Sequence, residues 1–251
     1  MDVTDSRLAP APASRQVPAV PWGILDIVLA IIVAGLAVLV LNLVALGLSL
    51  VMGVSLEQNG SALAIFLAVQ DLIVVGAALL FSTARYRVGF DRLGLRPFSV
   101  PAGCAMVVAL LMASYAVRAL YAVVAMAFGV QISPQAVLSQ LDVRGAGFIF
   151  TFIAAAVIAP IAEETFFRGF MYGGLRKRIG VVGAMLVSTI FFTALHLSAD
   201  LFVPIFFLGL FLAWLYEYTG SLFPGMLLHA ANNAISLILL YVAQSSGLFP
   251  H

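Results

Sequence analysis

Long runs of apolar residues, broken by short polar stretches, dominate the chain. A membrane-spanning helix needs about 20 mostly apolar residues. Seven segments meet that length: residues 22–54, 61–83, 102–130, 145–175, 180–197, 201–218 and 222–243. The first is long enough to tilt, or to be split into an eighth. The pattern predicts an all-α, polytopic bundle of about seven spans, seven or eight by this reading, with no internal repeat. Residues 1–21, rich in Pro and Ala, read as a disordered tail. Residues 22–144 then form an N-terminal set of spans, and residues 145–243 a second set.

Composition agrees. Of 251 residues, 63% are hydrophobic and 9% charged, and the mean hydropathy is +1.14. Soluble domains are about 25% charged, so lipid has to be the solvent here. A formal net charge of +1 offers no field for nucleic acid. The lone cysteine, Cys104, has no intrachain partner for a disulfide. The first apolar run is far longer than a signal peptide's core of about 15 residues, so it reads as a retained helix.

Basic residues collect in cytoplasmic loops. Arg7 and Arg15 lie in the tail, Arg85, Arg87, Arg92 and Arg96 between spans two and three, and Arg176, Lys177 and Arg178 between spans four and five. With seven spans, all three clusters fall on one side. Glu57, Asp142, Arg144 and Asp200 fall on the other. The expectation is a multi-pass protein of a cell membrane, of bacterial plasma-membrane type, with a cytoplasmic N-terminus.

Ionisable groups inside spans cost about 2.5–3.5 kcal/mol each on insertion scales, so they are functional candidates by default. They are Asp26, Asp71, Arg118, Glu163, Glu164, Arg168, His196 and His229. Asp26 lies near a span end and is expected to face headgroups. Asp71 and Arg118 are expected to form a structural pair, or Arg118 to snorkel. The others are denser. Span four holds Glu163-Glu164-Thr165-Phe166-Phe167-Arg168, span five ends on Phe192-Thr193-Ala194-Leu195-His196, and span seven holds His229-Ala230-Ala231-Asn232-Asn233.

Residues four apart share a helix face. Glu164 and Arg168 can therefore pair, which leaves Glu163, rotated about 100° away, for other work. Rise along each helix puts Glu163 about 21 Å, His196 about 24 Å, and His229 and Asn233 about 14 and 20 Å from one common end. One intramembrane pocket is compatible with those depths. Polar glue between helices, a proton or ion pathway, and hydrolysis all remain open on these residues alone.

At these residues the sequence resembles the CAAX-protease and bacteriocin-processing family of intramembrane proteases (CPBP, or Abi). The likeness rests on EExxxR at Glu163 to Arg168, FxxxH at Phe192 to His196 and HxxxN at His229 to Asn233, in that order. The stretch 219–225 before the last motif also fits. The likeness covers roughly residues 145–240. It implies a helical bundle whose embedded site cleaves a peptide bond; prenyl-protein members remove three residues after a lipidated cysteine. Carried over, Glu163 and His196 activate a water, His229 and Asn233 stabilise the oxyanion, and Glu164 and Arg168 support the site. Phe166, Phe167 and Phe192 would limit water entry.

The resemblance leaves metal open. The HExxH signature of zinc proteases is absent. Glu163, His196 and His229 are a candidate three-ligand set for a divalent metal such as zinc, and the same residues can activate water without one. Ser188 and Ser198 sit in no nucleophile motif, and Asp71 with the glutamates matches an aspartyl dyad poorly. The partners implied are membrane lipid and a lipidated or membrane-bound peptide, with the oligomeric state open. The competing class is a non-proteolytic protein: an immunity or scaffold protein, or a proton-coupled carrier. Carriers often show inverted repeats, and none is visible here.

Overall fold

A computed structural model describes residues 17–53, 59–130 and 145–245. Residues 1–16 of the expected tail lie outside the described residues, as do Glu57, Asp142 and Arg144. Among the described residues, six helices are long and apolar enough to cross a membrane, one of them the 48-residue helix Gly147–Ala194. At about 1.5 Å per residue that helix would measure about 72 Å, more than twice a hydrocarbon core of about 30 Å. It does not run straight. Gly180 has φ 74° and ψ 172°, a non-helical conformation open essentially to glycine alone.

Two rings show what the break does. Phe167 and Phe192 are 25 residues apart and would sit about 37 Å apart on one straight helix. Their ring centroids are 5.4 Å apart. The chain therefore reverses at Gly180, and the longest of the six helices is two segments folded back on each other, which gives seven helical segments among the described residues. We number them α1 (Ile24–Met52), α2 (Gly60–Leu79, prolonged by a π-helical turn Leu80–Ala84), α3 (Val100–Ala127), α4 (residues 145–179), α5 (residues 181–194), α6 (Phe202–Thr219) and α7 (Leu222–Ser245). α1 is continuous, so no eighth span arises from it.

α4 is the centre of the bundle. Every residue from Glu164 to Tyr172 is buried, while α1 and α3 turn large apolar side chains outward, such as Leu50, Val51, Met112 and Met126. Lipid is as apolar as these side chains, so exposing them carries no penalty, and the inside is marked instead by polar groups. Hydroxyls within the spans are satisfied locally. Ser82, Thr165 and Thr193 each donate to the carbonyl four residues back, the outlet for such groups where water is absent.

One end of the bundle gathers the basic loops. Arg92 donates to the Ala19 carbonyl, Arg178 to that of Trp22, and Arg96 to that of Gly220. The tail end, the α2–α3 loop and the α4–α5 turn thus share a face, as the charge pattern predicts. Arg176 forms a two-pronged bond to Glu217 at 2.6 and 2.8 Å, and Tyr172 donates to the same carboxylate. Asp26 does not face headgroups. It is buried, and it accepts from the Gly23 backbone and from Tyr86 while pairing with Arg85. It caps α1 from inside, because the α2–α3 loop folds over that helix end.

Candidate active site

The backbone of α4 is irregular around the paired glutamates. A π-helical turn spans Ala154–Ile158, an α-helical turn Ala159–Glu163, and a second π-helical run Glu164–Tyr172. Such turns recur at functional sites. Pro160 explains the first. It has no N–H to donate, and local widening is one way a span absorbs that loss. Because the Ala159 N–H bonds the carbonyl of Ala154, the next N–H in that register would be the missing one of Pro160. The Ala155 carbonyl is bonded instead by Asn233 from α7, at 2.8 Å.

Arg168 is fully buried. Its guanidinium donates to Glu164 at 2.9 Å and to the Gly209 carbonyl of α6 at 3.1 Å. Its cationic plane lies 4.4 Å from the centroid of Phe192 and 5.9 Å from that of Phe167. Gly209 leaves the room this needs. A Cβ there would come within 2.8 Å of Thr189 and 3.4 Å of Arg168. The predicted i,i+4 pair therefore exists, and it is locked by a helix that periodicity could not point to.

Glu164 also meets His229. Its Oε1 lies 3.2 Å from His229 Nδ1. A carboxylate only accepts, so Nδ1 carries the hydrogen. The other face of that ring turns to Glu163, with Nε2 3.7 Å from Oε2. Glu163 Oε2 is buried and has no hydrogen-bond partner. His196 donates from Nδ1 to the Phe192 carbonyl at 2.8 Å, since a carbonyl can only accept. With the hydrogen on Nδ1, Nε2 is the ring atom left to face the cluster. Phe192 packs edge-on against both imidazoles, 4.7 Å from His196 and 5.7 Å from His229.

Glu163, Glu164, Arg168 and His229 thus form one contiguous cluster, with His196 across a shared aromatic ring. Asn233 joins through Asn232, whose amide donates to it at 3.2 Å. The set Glu163, His196 and His229 does not assemble as a metal-holding group, nor does any three His, Cys, Asp or Glu among the described residues.

The expected Asp71–Arg118 pair is not formed. Arg118 bonds Asn232 Oδ1 and Ser236 Oγ of α7, each at 3.3 Å. Asp71 sits on α2 in the electrostatic reach of Glu163. Helix α3 packs on α7, whereas α2 packs on α4, so the two charges are drawn to different neighbours. Ser236 and Tyr115 were not separable from packing residues in the sequence, and Asn232 was legible there only as polar glue between helices.

Residues 145–235 match the family model described as type II CAAX prenyl endopeptidase Rce1-like, consistent with the CAAX-protease resemblance of the three motifs. No curated protein and no solved structure matches the chain.

Proposed function

We propose that the protein is an intramembrane endopeptidase of the CAAX-processing type, acting on a prenylated or otherwise membrane-bound peptide. One observation carries the reading. Glu163 presents a buried carboxylate oxygen with no hydrogen-bond partner beside His229 and has no arginine of its own, whereas Glu164, whose Oε2 is also unbonded, is held through Oε1 by Arg168 and His229. Leaving a buried acceptor unmatched is costly. A residue kept so is poised to receive a group that arrives during turnover.

In this reading water enters between Glu163 and the Nε2 lone pair of His196. Glu163 takes one proton as the water oxygen bonds to the scissile carbonyl carbon. Negative charge then moves to the carbonyl oxygen. Protonated His229 and an Asn233 N–H stabilise that charge, and donors of this kind act strongly where water is scarce. With His229 protonated, the formal charges of Glu163, Glu164, Arg168 and His229 cancel. The carbon–nitrogen bond then breaks as Glu163 returns its proton to the leaving amine. Arg168 and Glu164 hold His229 in place. The basic end of the bundle faces the cytoplasm in this reading, by the positive-inside tendency.

The test uses purified protein in detergent and a farnesylated peptide ending three residues after its cysteine, with products read by mass spectrometry. Loss of those three residues is the expected result. Glu163→Gln and His196→Ala should each slow cleavage by about 10²–10⁴-fold, with membrane insertion intact. A variant that cleaves at the wild-type rate would remove its residue from the mechanism. No release from prenylated or plain membrane peptides would shift weight to a scaffold.

A further inference from the structure

Arg118 is a cation without a counter-charge. It lies nine residues from the nearer end of α3, well inside the apolar span, where a charge is expensive. Its partners are an amide oxygen and a hydroxyl, and the ring of Tyr115 lies 5.4 Å away. No carboxylate pairs with it among the described residues. A guanidinium carries five N–H donors, and two are engaged. Tyr115 also donates to the Asn232 carbonyl, and Ser236 Oγ to the same atom. The side chain is thus held by α7 while much of its hydrogen-bonding capacity stays open.

The position along α7 matters as much as the charge. Asn232 and Ser236 lie three and seven residues beyond His229, which is about 4.5–10.5 Å of helical rise. An extended peptide covers about 3.3–3.6 Å per residue. A chain whose scissile carbonyl sits at Glu163 and His229 would bring an end two or three residues downstream level with Arg118. Asn232 links the two places directly, accepting from Arg118 and donating to Asn233.

We propose that Arg118, held by Asn232 and Ser236, is the subsite for the C-terminal carboxylate of the peptide being cleaved. The proposal rests on the endopeptidase reading above. It assigns to α3, which lies outside the family match, the measuring of how far the cleaved bond stands from the chain end. Arg suits a carboxylate because its planar fork can bond both oxygens.

The experiment compares two farnesylated peptides that differ only at the last group, a free carboxylate or a carboxamide. It measures kcat/KM on the wild type, Arg118→Gln and Arg118→Lys. Direct binding of both peptides to Glu163→Gln, with and without Arg118→Gln, is measured in parallel. A charge-assisted bond predicts a preference for the acid of about ten- to a hundredfold in the wild type. Arg118→Gln should bring that ratio to about one, and Arg118→Lys should keep part of it.

Equal handling of acid and amide by the wild type would overturn the subsite while leaving the endopeptidase standing. So would a preference that survives Arg118→Gln, or failure of the acid peptide to bind. Selective, Arg118-dependent binding of the acid without any cleavage would do the reverse, keeping the subsite and sinking the protease. If anionic lipid rather than peptide is the counter-ion, the acid preference will vanish in anionic detergent–lipid micelles and in neutral ones alike, which also overturns it.

Discussion

Two arginines inside the spans have opposite surroundings. Arg168 is fully buried and its charge is cancelled: a carboxylate, a backbone carbonyl and two aromatic faces use its charge and its plane, and Nε alone is left unbonded. Arg118 is half-buried and bonds only neutral oxygens. Both are costly residues for a membrane helix. The difference teaches that a buried charge cancelled within the protein builds architecture, whereas one left uncancelled keeps bonding capacity, which the proposal above gives to a peptide carboxylate.

Removing Arg168 should break this comparison hardest. Arg168→Met leaves Glu164 buried without its cation, and losing one partner of such a pair costs roughly 3–5 kcal/mol. Thermal unfolding in detergent should show the drop. The double variant Glu164→Gln with Arg168→Met should recover part of it, because the stranded charge is then gone. A single variant as stable as the wild type would mean the pair does not hold α4 in place.

Gly209→Ala should come next. The added Cβ meets Thr189 and the Arg168 guanidinium, an overpacking that typically costs about 1–3 kcal/mol. An unaltered melting temperature would show that α6 yields without disturbing the arginine. Arg118→Met should be the smallest, below about 1 kcal/mol, since the bonds lost are offset by removal of a charge from lipid. A loss as large as that of Arg168→Met would make Arg118 architectural too, and the contrast would disappear.

Much of this was legible in the residues themselves. The apolar runs mark the passes, including the reversal near Gly180 that the basic cluster at 176–178 flagged. The Glu164–Arg168 pair follows from i,i+4 spacing. Asp26 was misread because distance from a span end says nothing about a loop folding back over it. Glu217 was overlooked at the edge of an apolar run, although it anchors Arg176. Pairing Asp71 with Arg118 matched opposite charges at similar depth, but their helices pack on different neighbours.

The sequence alone therefore determined that lipid is the solvent, where the chain crosses it, and which rare polar groups share a helix face. Each of these depends on composition or on spacing within one helix. Tertiary structure alone decided that Gly209 from α6 completes Arg168, and that Asn233 fills the bond Pro160 cannot make. It also decided that α7 holds Arg118 with its charge uncancelled. Those outcomes depend on which distant helix arrives and at what rotation. In lipid, packing between whole helices sets that, because apolar residues face the solvent and the core alike and so carry no label for the inside.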